Sequence, residues 1–373
     1  MNAVTGSMAQ IKKTKKIRFS FPAAVSLAAA LLFLLFTPSF SSQKPTALFL
    51  VNSEPATHLY SMGDIFSSGS FEDAFSNPWM LGLAAVPGAS LAHWPGMISK
   101  SNYNFAGVVL PLKKHGAFSV NYLSYDVGEE LLYELDGTSK SVKLEDDKMY
   151  SFGYGFPLSE KFFAGFQAKY LQSVLAQDYT ASAVLCDAGL MFNTLNAAHT
   201  AGLSLKNYGQ KLKYLSIEEP VPAQAEAGYT YNGAKWTVGF SYYYILDASQ
   251  GGISAGIEYK PKIKLIRLRG GGKQVGGDMK YYAGLGINIG RVDFNLAYQI
   301  ISSEKVSQEM PVMFSLNWFW GARDEKSLSK AYAARGMKKR AKEVAIRDRE
   351  DNLDRKGRFG ASDSNWWKNR LIK

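Results

Sequence analysis

Four histidines (His58, His93, His115 and His199) and a single cysteine, Cys186, are the side chains of this 373-residue chain best equipped for metal binding or nucleophilic attack. Their spacing suits neither chemistry. The histidines fall singly among loops and segment ends, whereas a zinc site needs several donors brought together. One thiol cannot form an internal disulfide or a multi-cysteine metal site. Cys186 occupies an apolar position of its segment and reads as a packing residue. No G-x-S-x-G nucleophile turn is present. Gly270-Gly271-Gly272-Lys273 has the glycines of a phosphate cradle, but it ends an extended segment and lacks the helix that such a cradle feeds. The chain is therefore expected to be non-catalytic, with no metal and no cofactor.

The charged residues that stand out do so by position. Lys169, Asp187, Lys206, Glu226, Glu258, Arg267, Arg269 and Asp293 each sit on the wet side of an alternating segment. Arg291–Ile301 shows the pattern most clearly. Val292, Phe294, Leu296, Tyr298 and Ile300 share one side, and Asp293, Asn295, Ala297 and Gln299 share the other. A strand sends successive side chains to opposite faces, so such a segment has one greasy and one wet face.

The alternation predicts about fourteen strands, over 89–95, 102–112, 117–126, 148–157, 161–172, 181–193, 199–207, 222–232, 235–246, 251–260, 263–272, 279–289, 291–301 and 311–320. Many are about ten residues long, the length a tilted strand needs to cross a bilayer. Short connections (113–116, 158–160, the type I′ pair Asn232-Gly233, Pro261, Gly290) alternate with longer ones (96–101, 127–147, 208–221, 247–250, 273–278, 302–310). The fold class expected is all-β: a transmembrane antiparallel outer-membrane barrel with tight periplasmic turns. A soluble lipocalin-like barrel is the competitor, but it would need fewer strands and a polar exterior.

The charged set then lines the lumen. Both signs occur, which argues against a strongly selective ion pore and for pairing within an occluded interior. Gly153, Gly155, Gly239, Gly284 and Gly286 also point inward, where they would let another segment approach the wall. About fourteen strands enclose more space than wall side chains fill. Residues 43–88, which lack clean alternation, are the segment of suitable size and place to plug it.

The ends differ from this body. Residues 1–42 carry Lys12, Lys13, Lys15, Lys16 and Arg18, then an apolar run and small residues, the pattern of a cleaved secretory signal. The chain is +11 overall, but residues 322–373 hold sixteen basic and eight acidic residues, whereas 43–321 are close to neutral at −2. The body is thus no nucleic-acid binder by charge. The domains read as signal 1–42, plug 43–88, barrel 89–320 and a basic tail 321–373 that is helical or disordered. The phase of the strands puts the tail in the periplasm. Tyr332, Trp366 and Trp367 are its candidate docking residues for a partner, peptidoglycan or an anionic leaflet.

Tyr60-Ser61-Met62-Gly63-Asp64 and Asp73-Ala74-Phe75-Ser76-Asn77-Pro78-Trp79-Met80-Leu81 resemble the amino-terminal signature of the PorV/PorQ group. Trp79 departs from it, since the group has a small residue there. Leu205–Gly209 and Pro220–Tyr229 are similar to the group's Asn-Leu-Gly segment and Pro-rich strand start. The resemblance implies a fourteen-stranded FadL-like barrel with an amino-terminal plug, in which Asn77 and Pro78 lie along the inner wall. It implies a role in type IX protein secretion or cell-surface delivery, with a protein partner or cargo. FadL relatives suggest the alternative, a channel for small hydrophobic molecules. Outer-membrane lipid is the surrounding expected in either case.

Overall fold

The computed structural model describes residues 55–95, 101–133, 137–261, 263, 265–275, 278–300, 312–321 and 325–346. The expectations placed on the signal, on residues 43–54 and on Trp366 and Trp367 lie outside the described residues. After the plug segment come β1 (Gly88–Pro95), β2 (Asn102–Pro111), β3 (Ala117–Asp126), β4 (Glu129–Tyr133), β5 (Ser139–Lys143), β6 (Glu145–Pro157), β7 (Phe162–Leu175), β8 (Tyr179–Asn193) and β9 (His199–Gly209). They continue with β10 (Leu212–Tyr214), β11 (Ile217–Glu219), β12 (Gln224–Asn232), β13 (Trp236–Ile245), β14 (Gln250–Tyr259), β15 (Ile266–Val275), β16 (Asp278–Ile289), β17 (Val292–Ile300) and β18 (Val312–Phe319).

Fourteen of these strands form one closed antiparallel barrel in chain order, and β1 pairs with β18 to seal it. The expected all-β barrel and its fourteen wall strands are what the chain adopts. Two hairpins, β4–β5 and β10–β11, stand outside the barrel sheet at one end, in the connections read from sequence as loops. The opposite end carries the turns. The contrast between the two ends is smaller than the sequence suggests, because β15 and β16 are separated only by residues 276 and 277.

Burial follows the alternation. Asn295 is 3% exposed and its neighbour Leu296 38%, although Asn is the polar one. The inversion of the soluble-protein rule holds around the wall: Leu91, Val120, Phe152, Phe166, Leu190, Phe240, Leu268, Phe294 and Phe314 point outward. Trp236 lies beside Tyr259 at 4.4 Å and Phe162 beside Phe192 at 5.2 Å near the turn end, each pair tilted, an aromatic girdle of the kind that sits at a membrane interface. Closing the sheet pairs the backbone groups of every wall strand with both neighbours, which an exterior made of hydrocarbon requires.

The plug occupies the lumen. It contains two single-turn helices, α1 (Thr57–Tyr60) and α2 (Asp73–Ser76), and a 3-10 turn over Pro78–Gly82. After β18 the chain forms a longer helix, α3 (Glu325–Ala334), and residues 338–346 are helical as well.

Candidate functional site in the barrel lumen

The plug is seated by wall positions that lack a side chain. A Cβ on Gly155 or Gly165 would strike the Pro78 carbonyl, one on Gly256 or Gly271 the backbone of Met62, one on Gly228 the ring of Phe66, and one on Gly284 the Ser61 side chain. Glycine at these sites lets the plug come up against the strand backbone. Of the five glycines singled out in the sequence, Gly155, Gly239 and Gly284 meet the plug in this way. Gly153 faces Ser119 and Leu81, and Gly286 makes room for the Arg269 guanidinium. Trp79 is fully buried, stacks on Phe66 at 5.3 Å and lies against Gly189. The large residue at this position is thus matched by an empty one on β8.

Polar contacts fix the plug's rotation. Glu72 is 1% exposed, and its carboxylate accepts hydrogen bonds from Asn295 Nδ2 (2.7 Å), Asn317 Nδ2 (2.6 Å), the Ser315 hydroxyl and the His58 backbone N–H (2.9 Å). Asp73 folds back on its own segment, accepting from the Ser68, Gly69 and Ser70 amides and the Ser67 and Ser68 hydroxyls. Burial pushes the Asp73 carboxyl up to about 6, against the pull of those donors. Burial also pulls His58 down to about 3, with the Arg269 charge acting the same way. A neutral His58 therefore sits with its Nε2 3.3 Å from Glu258. Asn77 donates to the Phe66 carbonyl at 2.7 Å, and Pro78 begins the 3-10 turn that presses on the wall. The Thr230 hydroxyl donates to the Ser67 carbonyl, and the Phe66 amide to the Ser241 hydroxyl.

The charged residues chosen from sequence all face the interior, most in pairs. Lys169 meets Asp187 at 2.6 Å, and Lys206 meets Glu226 at 2.9 Å. Arg269 donates through Nε to Glu258 at 2.9 Å and through Nη1 to Asn295 at 3.0 Å. Asp293 accepts from Asn288 at 2.6 Å, and Arg267 donates to the Ile266 carbonyl at 3.1 Å. The sequence reading missed the plug's own contributions, Asp64 (2.9 Å from Lys273), Glu72 and His58. A signal existed, since a segment destined for a polar lumen must bring its acids there. It also missed Asn207. This residue has φ +58° and lies at a bulge opposite Asp187, where its amide donates to Asp187 at 2.7 Å and its side-chain oxygen accepts from Lys169 at 2.8 Å. Asparagine tolerates that backbone conformation and supplies both partners at once.

The lumen has two tiers. Toward the hairpin end, Trp94, Tyr103, Phe105, Leu123, Met149, Leu171 and Leu185 form a buried, mainly apolar tier, with Asp147 and Ser173 buried at its outer edge. Between it and the plug lies a cavity of about 80 Å³ lined by Ile65, Phe75, Leu123 and Met149 together with Asn121, Gln167 and the three paired lysines 169, 206 and 273. On the turn side of the plug a polar cavity of about 180 Å³ is bounded by His58, Glu258, Arg267, Arg269 and Asp293. Tyr332, the described docking candidate of the tail, lies against the chain's own barrel, 5.9 Å from the Arg340 guanidinium. Among the described residues no group of three His, Cys, Asp or Glu could hold a metal ion.

No family model and no curated protein matches the chain. Solved structures do. The toluene transporter TbuX of Ralstonia pickettii aligns over 73% of this chain and 97% of its own length, with 12% identity and a TM-score of 0.51. The P. putida toluene transporter TodX aligns over 72% of this chain and 97% of its own, with 13% identity and a TM-score of 0.51. At such low identity the likeness is one of architecture, and the chain shares the closed barrel fold of these transporters.

Proposed function

We propose that the chain is a non-catalytic outer-membrane barrel that carries small hydrophobic molecules across the lipid. The observation that carries the reading is the two-tier lumen: apolar and aromatic side chains toward the hairpin end, then a seated plug with a polar cavity behind it. An apolar solute loses its aqueous shell favourably on reaching the first tier. The second tier withholds an open aqueous path. The fold shared with two toluene transporters supports the same substrate class. With hairpins outside and turns in the periplasm, the tail lies on the periplasmic side. The test is uptake of a labelled monoaromatic hydrocarbon by cells with and without the chain. Equal uptake, with the barrel demonstrably assembled in the outer membrane, would sink the channel reading.

A second reading follows from the resemblance of residues 60–81 to the PorV/PorQ group: a barrel that binds a protein partner or secreted cargo. The supporting observation is that Asn77 and Pro78 form the turn packed on the inner wall, as that resemblance implies. Affinity isolation from detergent-solubilised outer membrane distinguishes the two, because only this reading calls for a stoichiometric protein partner.

A further inference from the structure

Among the described residues three arginines are buried, Arg269 in the lumen and Arg335 and Arg340 in the tail. Burying a guanidinium is costly unless its donors are satisfied. The tail pair finds its acceptors chiefly in main-chain carbonyls of the barrel's turn end. Arg335 donates to Lys113 O at 2.8 Å, to Gly82 O at 3.0 Å and to Ala84 O. Arg340 donates to Asn193 Oδ1 at 2.7 Å, Asn193 O at 3.2 Å and Glu160 O at 2.9 Å, while its own amide donates to the Glu160 carboxylate at 3.0 Å. Its guanidinium also lies 5.4 Å from the Phe163 ring. Gly336, at φ +83°, ends α3 and redirects the chain so that both arginines reach the barrel. Met337, between them in the chain, and Ala341, just after Arg340, are buried as well.

The acceptors identify what is being held. Lys113 and Glu160 belong to the turn-end connections β2–β3 and β6–β7, and Asn193 is the last residue of β8 at the same end. Gly82 and Ala84 belong instead to the strap by which the plug leaves the lumen and enters β1. Arg335 alone bridges the two, tying the plug's exit to the wall.

We propose that residues 325–346 are a latch on the plug. While they are seated, the strap at Gly82–Ala84 is pinned and the 3-10 turn over Pro78–Gly82 stays pressed on Gly155 and Gly165. The plug leaves its glycine seats only after the tail lets go, so opening is controlled from the turn end. The latch operates whichever solute or partner the barrel serves.

The test uses the full chain in outer-membrane vesicles, with Cys186→Ser and Ser76→Cys placing one thiol on the plug. The maleimide labelling rate is measured beside the Arg335→Ala variant, and beside a chain carrying a protease site at 322–324 that is cut after assembly and washed. Lys338→Ala, on the tail's exposed face, is the control. Arg335→Ala and the cut chain should label at least about tenfold faster, the factor that 1.4 kcal/mol supplies, and the control should match the parent. An unchanged rate in both, with the heat-modifiable gel shift retained, overturns the latch. If Arg335→Ala does not assemble, the cut chain decides by the same rate, because its barrel folded with the tail intact.

Discussion

The plug and the tail both close the same barrel, and they are held in opposite ways. The plug fits by subtraction: the wall gives up side chains where Pro78, Met62 and Phe66 arrive, and Glu72 gathers four donors in the gap. The tail fits by addition, two long cationic side chains reaching carbonyl oxygens at the turn end. The first contact is spread over many strands and is buried. The second is concentrated in two arginines at the rim, with Tyr332 and Met337 packed beside them. A distributed, buried fit resists perturbation site by site, whereas a two-point fit fails when one point is lost.

Removing residues 55–82 should give the largest effect. If the plug closes the lumen, single-channel conductance in planar bilayers rises sharply, while equal conductance would place the barrier in the hairpin-end tier. Glu72→Ala comes next, since it strands buried donors on Asn295, Asn317 and Ser315. A cost of about 3 kcal/mol is expected, each orphaned buried group costing about 1–3. Urea unfolding followed by gel shift measures it, and a neutral result would mean that water replaces the carboxylate.

Gly165→Val drives a side chain into the Pro78–Trp79 peptide and should cost about 2 kcal/mol, within the range for overpacking. The same change at Gly290, which faces no atom within 4 Å, tests whether the plug is the cause. Its φ of +59° adds a strain of its own, so the readout there is plug exchange and not the unfolding midpoint.

The pH dependence is smaller. His58 binds its proton only near pH 3 when folded but near its ordinary 6.5 when unfolded. The unfolded state therefore takes up the proton first, and stability is lost as pH falls below 6.5. Between pH 7.5 and 5.5 the loss is about 1.4 kcal/mol by linkage, and His58→Gln should flatten the slope. Hydrogen exchange at the plug amides reads it directly; an identical slope in the variant would assign the titration elsewhere. At the tail, Arg340→Ala should leave the barrel's gel shift intact and speed tryptic clipping of residues 325–346 by about tenfold, equivalent to 1.4 kcal/mol. Clipping at the parent rate would mean that Arg335 holds the tail alone.

How much of this was legible follows from the range of the forces involved. Strand alternation is local, so β3, β6, β13 and β17 were readable from residues such as Phe118, Tyr150, Trp236 and Phe294 without any partner in view. Inward direction was readable for the same reason, and Lys169, Glu226, Glu258, Arg269 and Asp293 all face the lumen. The β4–β5 and β10–β11 hairpins were not, because strands of three to five residues are too short to display a period, and Val142, Leu212 and Tyr214 become buried only once the chain folds back on itself. A helix was one of the two readings the tail's sequence allowed, but its seat was not legible: main-chain carbonyls carry no residue identity.

By itself, then, the order of residues determined the barrel, its strand number and which face is wet, since each depends only on period-two patterning and closure. The tertiary structure alone decided which glycine receives which plug residue, that Trp79 lies over Gly189, and that Glu72 draws Asn295, Ser315 and Asn317 together across more than two hundred residues. Those pairings depend on the closed wall bringing distant strands around a common axis, and no local pattern records which of them will meet.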